Sequence, residues 1–163
     1  MACTVIGARG RPGPVEDVMD AVRQMEERLN TTIQIFRADR IFGELHPKVA
    51  AEHANRSFAQ GRNRSKHMGT EVLLYAAAER QINVAIEKLG IKPGIDEFCL
   101  LFGDGSRAED LLELLNLQRE DSVLDGPKDH TVFGISDEDI ALVGEARIID
   151  LIIERMALSE LDR

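Results

Sequence analysis

Apolar positions along the chain fall into blocks whose spacing alternates between short continuous runs and the three-and-four rhythm of helices. Residues 3–6 form a short apolar run closed by the turn-rich residues 7–13, and predict a strand. Pro14 suits a helix start, and Val15, Val18, Met19, Val22, Met25 and Leu29 then recur on one helical face. Residues 32–36 alternate and are rich in β-branched side chains, which predicts a second strand. Pro47 opens a helix that ends near Gly61, with Ala50, Ala54 and Phe58 on a shared face. Residues 69–89 predict the longest helix, apolar nearly all round and therefore central, with Gly90 as its left-handed cap. Residues 98–102 read as an interior strand. Ser106 with Glu109 reads as a capping box ahead of Leu111, Leu112, Leu114 and Leu115. Residues 131–135 predict one more strand. Ser136 with Asp139 caps a C-terminal helix running through Ile149, Ile152, Ile153 and Met156. The order β-α-β-α-α-β-α-β-α predicts an α/β (or α+β) fold: one domain over residues 1–163, a mixed β-sheet flanked by helices, and a long central buried helix.

Charge changes this picture more than composition does. At 44% hydrophobic and 30% charged, the 163 residues are ordinary for a folded domain. The formal net charge of -9 argues against a protein that coats nucleic acid indiscriminately. Yet residues 1–92 hold 14 basic and 11 acidic side chains, a balance of +3, while residues 93–163 hold 6 and 18, a balance of -12. Cys3 and Cys99 sit in apolar runs without CxxC spacing, and read as reduced, buried thiols of a cytoplasmic protein. No apolar run approaches the ~20 residues of a membrane span, and the first apolar stretch is too short for a signal sequence. His46, His53, His67 and His130 show no HxxxH spacing, and no nucleophile motif accompanies them. No enzyme, metal or cofactor is expected.

Three stretches remain as candidate chemistry. The turn at residues 103–106 could face a phosphate, but Asp104, Glu109 and Asp110 would repel it, so it reads as a capped helix start. Residues 9–13 are basic and glycine-rich yet lack the GK[ST] ending of a phosphate-binding loop. The third stretch carries Lys48, Arg56, Arg62, Arg64 and Lys66 against the single acid Glu52. Lys48, Glu52 and Arg56 fit a solvated i, i+4 ladder. Arg62, Arg64 and Lys66 have no local acid before Glu71 and sit on a loop before a helix, where phosphates can be met by cations and free N–H groups together.

Asn63-Arg64-Ser65, then Glu71-Val72-Leu73-Leu74-Tyr75, Arg80-Gln81-Ile82, Ala85-Ile86 and Gly90-Ile91 closely resemble the small kinase-binding subunit of the KEOPS (EKC) complex, the PRPK-binding protein family. Asp121-Ser122-Val123-Leu124 and the tail from Ala157-Leu158 to Glu160-Leu161 also match. Residues 66–70 look slightly extended, and residues 127–130 have no clear counterpart. The resemblance implies a non-catalytic subunit of the complex that makes threonylcarbamoyladenosine in tRNA. Such a subunit binds the small atypical kinase/ATPase, and through it the catalytic subunit, and captures the single-stranded 3′ CCA end of tRNA.

A tRNA end offers a few phosphates and unstacked bases, so a small basic patch suffices. The candidate tRNA-binding residues are Lys48, Arg56, Arg62, Asn63, Arg64, Ser65, Lys66, His67 and Arg80, with helix capping as the competing role for Ser65. Glu71 and Gln81 are assigned to internal hydrogen bonding. Apolar residues on more than one face of the C-terminal helix single out Met156, Leu158 and Leu161 as the kinase surface, or as a homodimer seam when the kinase is absent. The competing function is a free-standing nucleotide or small-molecule binding module built on residues 7–13.

Overall fold

The computed structural model describes residues 3–161. Strand β1 (Thr4–Gly10) leads into helix α1 (Val15–Leu29), strand β2 (Ile33–Arg37) and helix α2 (Leu45–Ala59). Helices α3 (Met68–Ala76) and α4 (Ile82–Leu89) precede strand β3 (Glu97–Phe102), helix α5 (Ala108–Leu114) and strand β4 (Leu117–Arg119). Helices α6 (Asp137–Val143) and α7 (Ile148–Leu161) close the chain.

The α/β class is the one the periodicity predicts. The sheet has the order β2-β3-β1-β4, and each pairing is antiparallel where a mixed sheet was expected. Both of its faces are covered, and alternate strand residues feed two separate cores. Val5, Phe36, Cys99 and Leu101 point to a layer built from α2, α3, α4 and α7. Ile6, Ala8, Ile33, Ile35, Phe98, Leu100 and Phe102 point to α1 and α5. Double coverage explains why the strands read as continuous apolar runs.

The expected long helix over residues 69–89 is two helices. Ala78 adopts φ 54, the Ala78 N–H donates to the Tyr75 carbonyl at 2.9 Å, and the Glu79 N–H donates to the Leu74 carbonyl at 2.9 Å. These two bonds are the Schellman termination, here with alanine where glycine is usual. His46, fully buried, takes up the next orphaned carbonyl: its Nε2 lies 2.8 Å from the Ala76 oxygen, and its Nδ1 accepts from the Phe42 N–H at 3.0 Å. Gly90 is not left-handed, with φ -69; a Cβ there would stand 2.5 Å from the Ile86 carbonyl oxygen, which is what requires glycine.

Other differences are local. Residues 131–133 form a 3-10 turn in place of a strand, with Phe133 and Ile135 still buried, and the fourth strand is β4. The expected C-terminal helix breaks at Gly144 into α6 and α7, although the Ser136–Asp139 capping box is present at its start. Near residue 106 the cap is Asp104, whose Oδ1 accepts from the Ser106 N–H at 2.9 Å, and not the Ser106–Glu109 box.

Candidate functional site

The basic loop between α2 and α3 is organised from beneath by one buried acid. Glu71, in the first turn of α3, is fully buried. Its Oε2 accepts from the Ser57 hydroxyl of α2 at 2.6 Å, and its Oε1 accepts from the backbone N–H groups of Arg64 at 3.1 Å and Ser65 at 3.0 Å. A carboxylate with several donors is a satisfied buried charge, and this one fixes the path of the loop across both helices. The internal role expected for Glu71 is what the structure shows; Gln81 is exposed at the start of α4 instead.

The loop is tied further along its length. Asn63 Nδ2 donates to the Ser65 carbonyl at 2.9 Å, and buried Ser65 accepts from the His67 N–H through its hydroxyl at 3.1 Å. His67 is the N-cap of α3: its Nδ1 accepts from the Thr70 N–H at 3.1 Å, and its Nε2 lies 3.0 Å from Glu26 Oε1 on α1. Glu26 holds the His67 pKa above the ordinary imidazole value. Gly69 lets the start of α3 press against β2, since a Cβ there would come within 2.8 Å of the His67 ring and 3.2 Å of the Ile33 carbonyl.

Asn63, Ser65 and His67 each make hydrogen bonds that hold the loop, with Ser65 buried and His67 exposed. Arg62, Arg64 and Lys66 are the side chains that framework presents to solvent. Arg62 also reaches α7, where its guanidinium donates to Glu160 Oε1 at 3.3 Å.

The remaining candidates divide by position. Arg56 lies on the same half of α2 and approaches His53 Nδ1 at 2.9 Å. His53 is buried and stacks on Tyr75, with ring centroids 5.1 Å apart. Lys48 is not part of this surface. It pairs with Glu44 near the start of α2, about 16 Å from the end of that helix at 1.5 Å per residue. Arg80 lies on the turn between α3 and α4 and lines a recess of about 580 Å³ with Lys88, Phe133, Arg155 and Leu158. Arg155 and Lys88 were missed in the sequence because they stand on α7 and α4, far from the basic stretch, and only the fold brings them beside Arg80.

Met156 is corrected from partner surface to core: it is fully buried beside α2 and α3, because the apolar faces of α7 wrap further into the helical layer than one stripe would. Leu158 and Leu161 are 49% and 79% exposed, and Ile82 and Ile86 of α4 form a second exposed apolar pair one turn apart. Arg9, from the competing glycine-rich site, is committed to the sheet and pairs with Glu97 at 2.7 Å.

The fold is that of a small α/β protein, a four-stranded sheet enclosed by helices, with a pinned basic loop and exposed apolar residues at the end of α7. The family model of the kinase binding protein CGI-121 matches residues 15–160, and the chain belongs to that family. It is similar to the "Regulatory protein Cgi121" of Methanocaldococcus jannaschii, with 27% identity over 135 residues, which is 83% of this chain and 88% of that protein. Among the described residues no helix is long and apolar enough to cross a membrane.

Proposed function

We propose that this chain is a non-catalytic, cytoplasmic subunit of a KEOPS-type complex that makes threonylcarbamoyladenosine in tRNA. It binds the small atypical kinase/ATPase of that complex, and through it the catalytic subunit, while its basic loop holds the 3′ CCA end of tRNA. Membership of a kinase-binding family supports the first contact. The observation that carries the second is the buried Glu71 carboxylate, which fixes the Arg64 and Ser65 amides so that Arg62, Arg64 and Lys66 stand outward together.

A preorganised loop loses little entropy when it meets a strand, which a floppy basic loop would lose in full. Three linked phosphates match three cations, and the Arg80 recess, with its Phe133 and Leu158 wall, offers an apolar surface for an unstacked base. The acidic remainder of the chain repels other parts of the tRNA, so binding is confined to the terminus.

The test is a paired measurement on the variant Arg62→Glu/Lys66→Glu. It should lose most tRNA affinity while still folding and co-eluting with the kinase, with an unfolding temperature somewhat lowered because Arg62→Glu sets a second acid beside Glu160. Retained tRNA affinity in that variant contradicts the assignment of the loop.

A further inference from the structure

Arg62 of the loop pairs with an acid from a distant element. Its guanidinium donates to Glu160 Oε1 at 3.3 Å across 98 residues of sequence. The two partners are unequal: the Glu160 side chain is 17% exposed and that of Arg62 is 45% exposed. The carboxylate is held in place and the guanidinium is the half that can turn outward. Glu160 is held by α7 and by its neighbour His53, whose Nδ1 lies 3.0 Å from Glu160 Oε2. The same nitrogen lies 2.9 Å from the Arg56 guanidinium. One ring nitrogen cannot accept from Arg56 and donate to Glu160 together. Whenever Nδ1 accepts from Arg56, Arg62 is the donor that keeps Glu160 satisfied.

We infer that Glu160 is an internal competitor for the anion site at Arg62, and that it makes the basic loop select a strand of linked phosphates over a single phosphate group. The inference rests on the reading of this loop as an RNA-binding site. A lone phosphate arriving at Arg62 has to replace a carboxylate already tethered beside it, and it meets the repulsion of that carboxylate as well. The exchange of one anion for another gains it little. A strand that reaches Arg64 and Lys66 in the same event collects their contacts at high effective concentration and displaces Glu160. Glu160 is thus a specificity-determining residue placed on the protein side of the contact, opposite in charge to the groups that bind.

The probes are a 12-nucleotide oligouridylate and cytidine monophosphate, each titrated against wild type, Glu160→Gln, Arg62→Gln and the double variant. Glu160→Gln should bind the oligonucleotide about fivefold tighter, the range of a partly exposed ion pair, and should bind the mononucleotide where wild type shows no saturation. In the Arg62→Gln background the gain from Glu160→Gln should vanish. Glu160→Ser repeats the measurement if the glutamine variant does not fold. Unchanged or weaker oligonucleotide binding in Glu160→Gln, or a gain that survives the loss of Arg62, overturns the inference. The two readings fail separately. Indifference of tRNA binding to the CCA end, with the Arg62-dependent gain intact, removes only the tRNA reading. CCA-dependent tRNA binding with no effect of Glu160→Gln removes only the competitor.

Discussion

Glu71 Oε1 accepts the backbone N–H of Ser65 at 3.0 Å, so a fully buried acid on α3 sets the course of an exposed loop. Removing that acid leaves the Ser57 hydroxyl and two amides without their acceptor. Glu71→Ala should destabilise the fold by about 3 kcal/mol or more, since buried donors left unsatisfied cost about 1–3 kcal/mol each and do not all find water. Urea denaturation measures this. At temperatures where the variant remains folded it should also bind tRNA less tightly than wild type, as the loop loses its anchor.

Ala78 gives the opposite sign. It terminates α3 in the left-handed region, where a Cβ is unfavourable by about 1–2 kcal/mol. Glycine removes that strain and loses part of the gain to the greater entropy of its unfolded chain. Ala78→Gly should stabilise the protein by about 0.5–1 kcal/mol, read as an upward shift of the thermal midpoint.

The same residue shows where the sequence stopped being legible. The apolar positions of residues 72–77, with Ala85 and Leu89, are buried as their spacing predicts while Ile82 and Ile86 are exposed, and the stop between α3 and α4 falls on Ala77 and Ala78, among the best helix formers known. No local signal marks it; the tertiary bond from His46 to the Ala76 carbonyl does. Residues 131–135 carry β-branched and aromatic side chains because Phe133 and Ile135 fill the core, not because they pair in a sheet. At the site, charge pattern alone found Arg62, Arg64 and Lys66. It gave no sign that Asn63 and Ser65 also bond within the loop, or that His67 reaches Glu26 of α1. Glu160 was invisible as a site residue because α7 reaches the loop only in the folded chain.

His46 makes stability fall in mild acid. Burial pushes its pKa from the ordinary 6.5 to about 4. Between these values the unfolded chain binds a proton that the folded protein refuses, so stability present above pH 6.5 is lost as pH falls toward 4. The loss from pH 7.5 to 4.5 should be about 2.5 kcal/mol from this residue. His67, raised by Glu26, works in the opposite sense. The comparison of wild type with His46→Gln isolates the term: the variant, though less stable at pH 7.5, should lose about 2.5 kcal/mol less across that interval.

On α7 the core and the surface should separate by energy. Met156→Ala creates a cavity in the helical layer and should cost about 2–5 kcal/mol. Leu158→Ser with Leu161→Ser should cost little in stability, because both side chains are exposed, yet should abolish co-elution with the kinase. Serine adds no charge beside Arg62 and Arg80, so this pair leaves the electrostatics of the loop alone. Co-elution that survives would move the kinase contact elsewhere, and exposed Ile82 and Ile86 would be the next residues to change.

The proposed function requires that a small basic loop on an acidic protein takes the end of a tRNA. The most direct test titrates the purified protein with intact tRNA and with the same tRNA lacking its CCA end, over a range of salt. Intact tRNA should bind tightly, with log affinity falling against log salt at a slope of about -2, as for about three phosphate contacts on a single strand. The shortened tRNA should bind at least tenfold more weakly. Equal affinity for the two would contradict the claim.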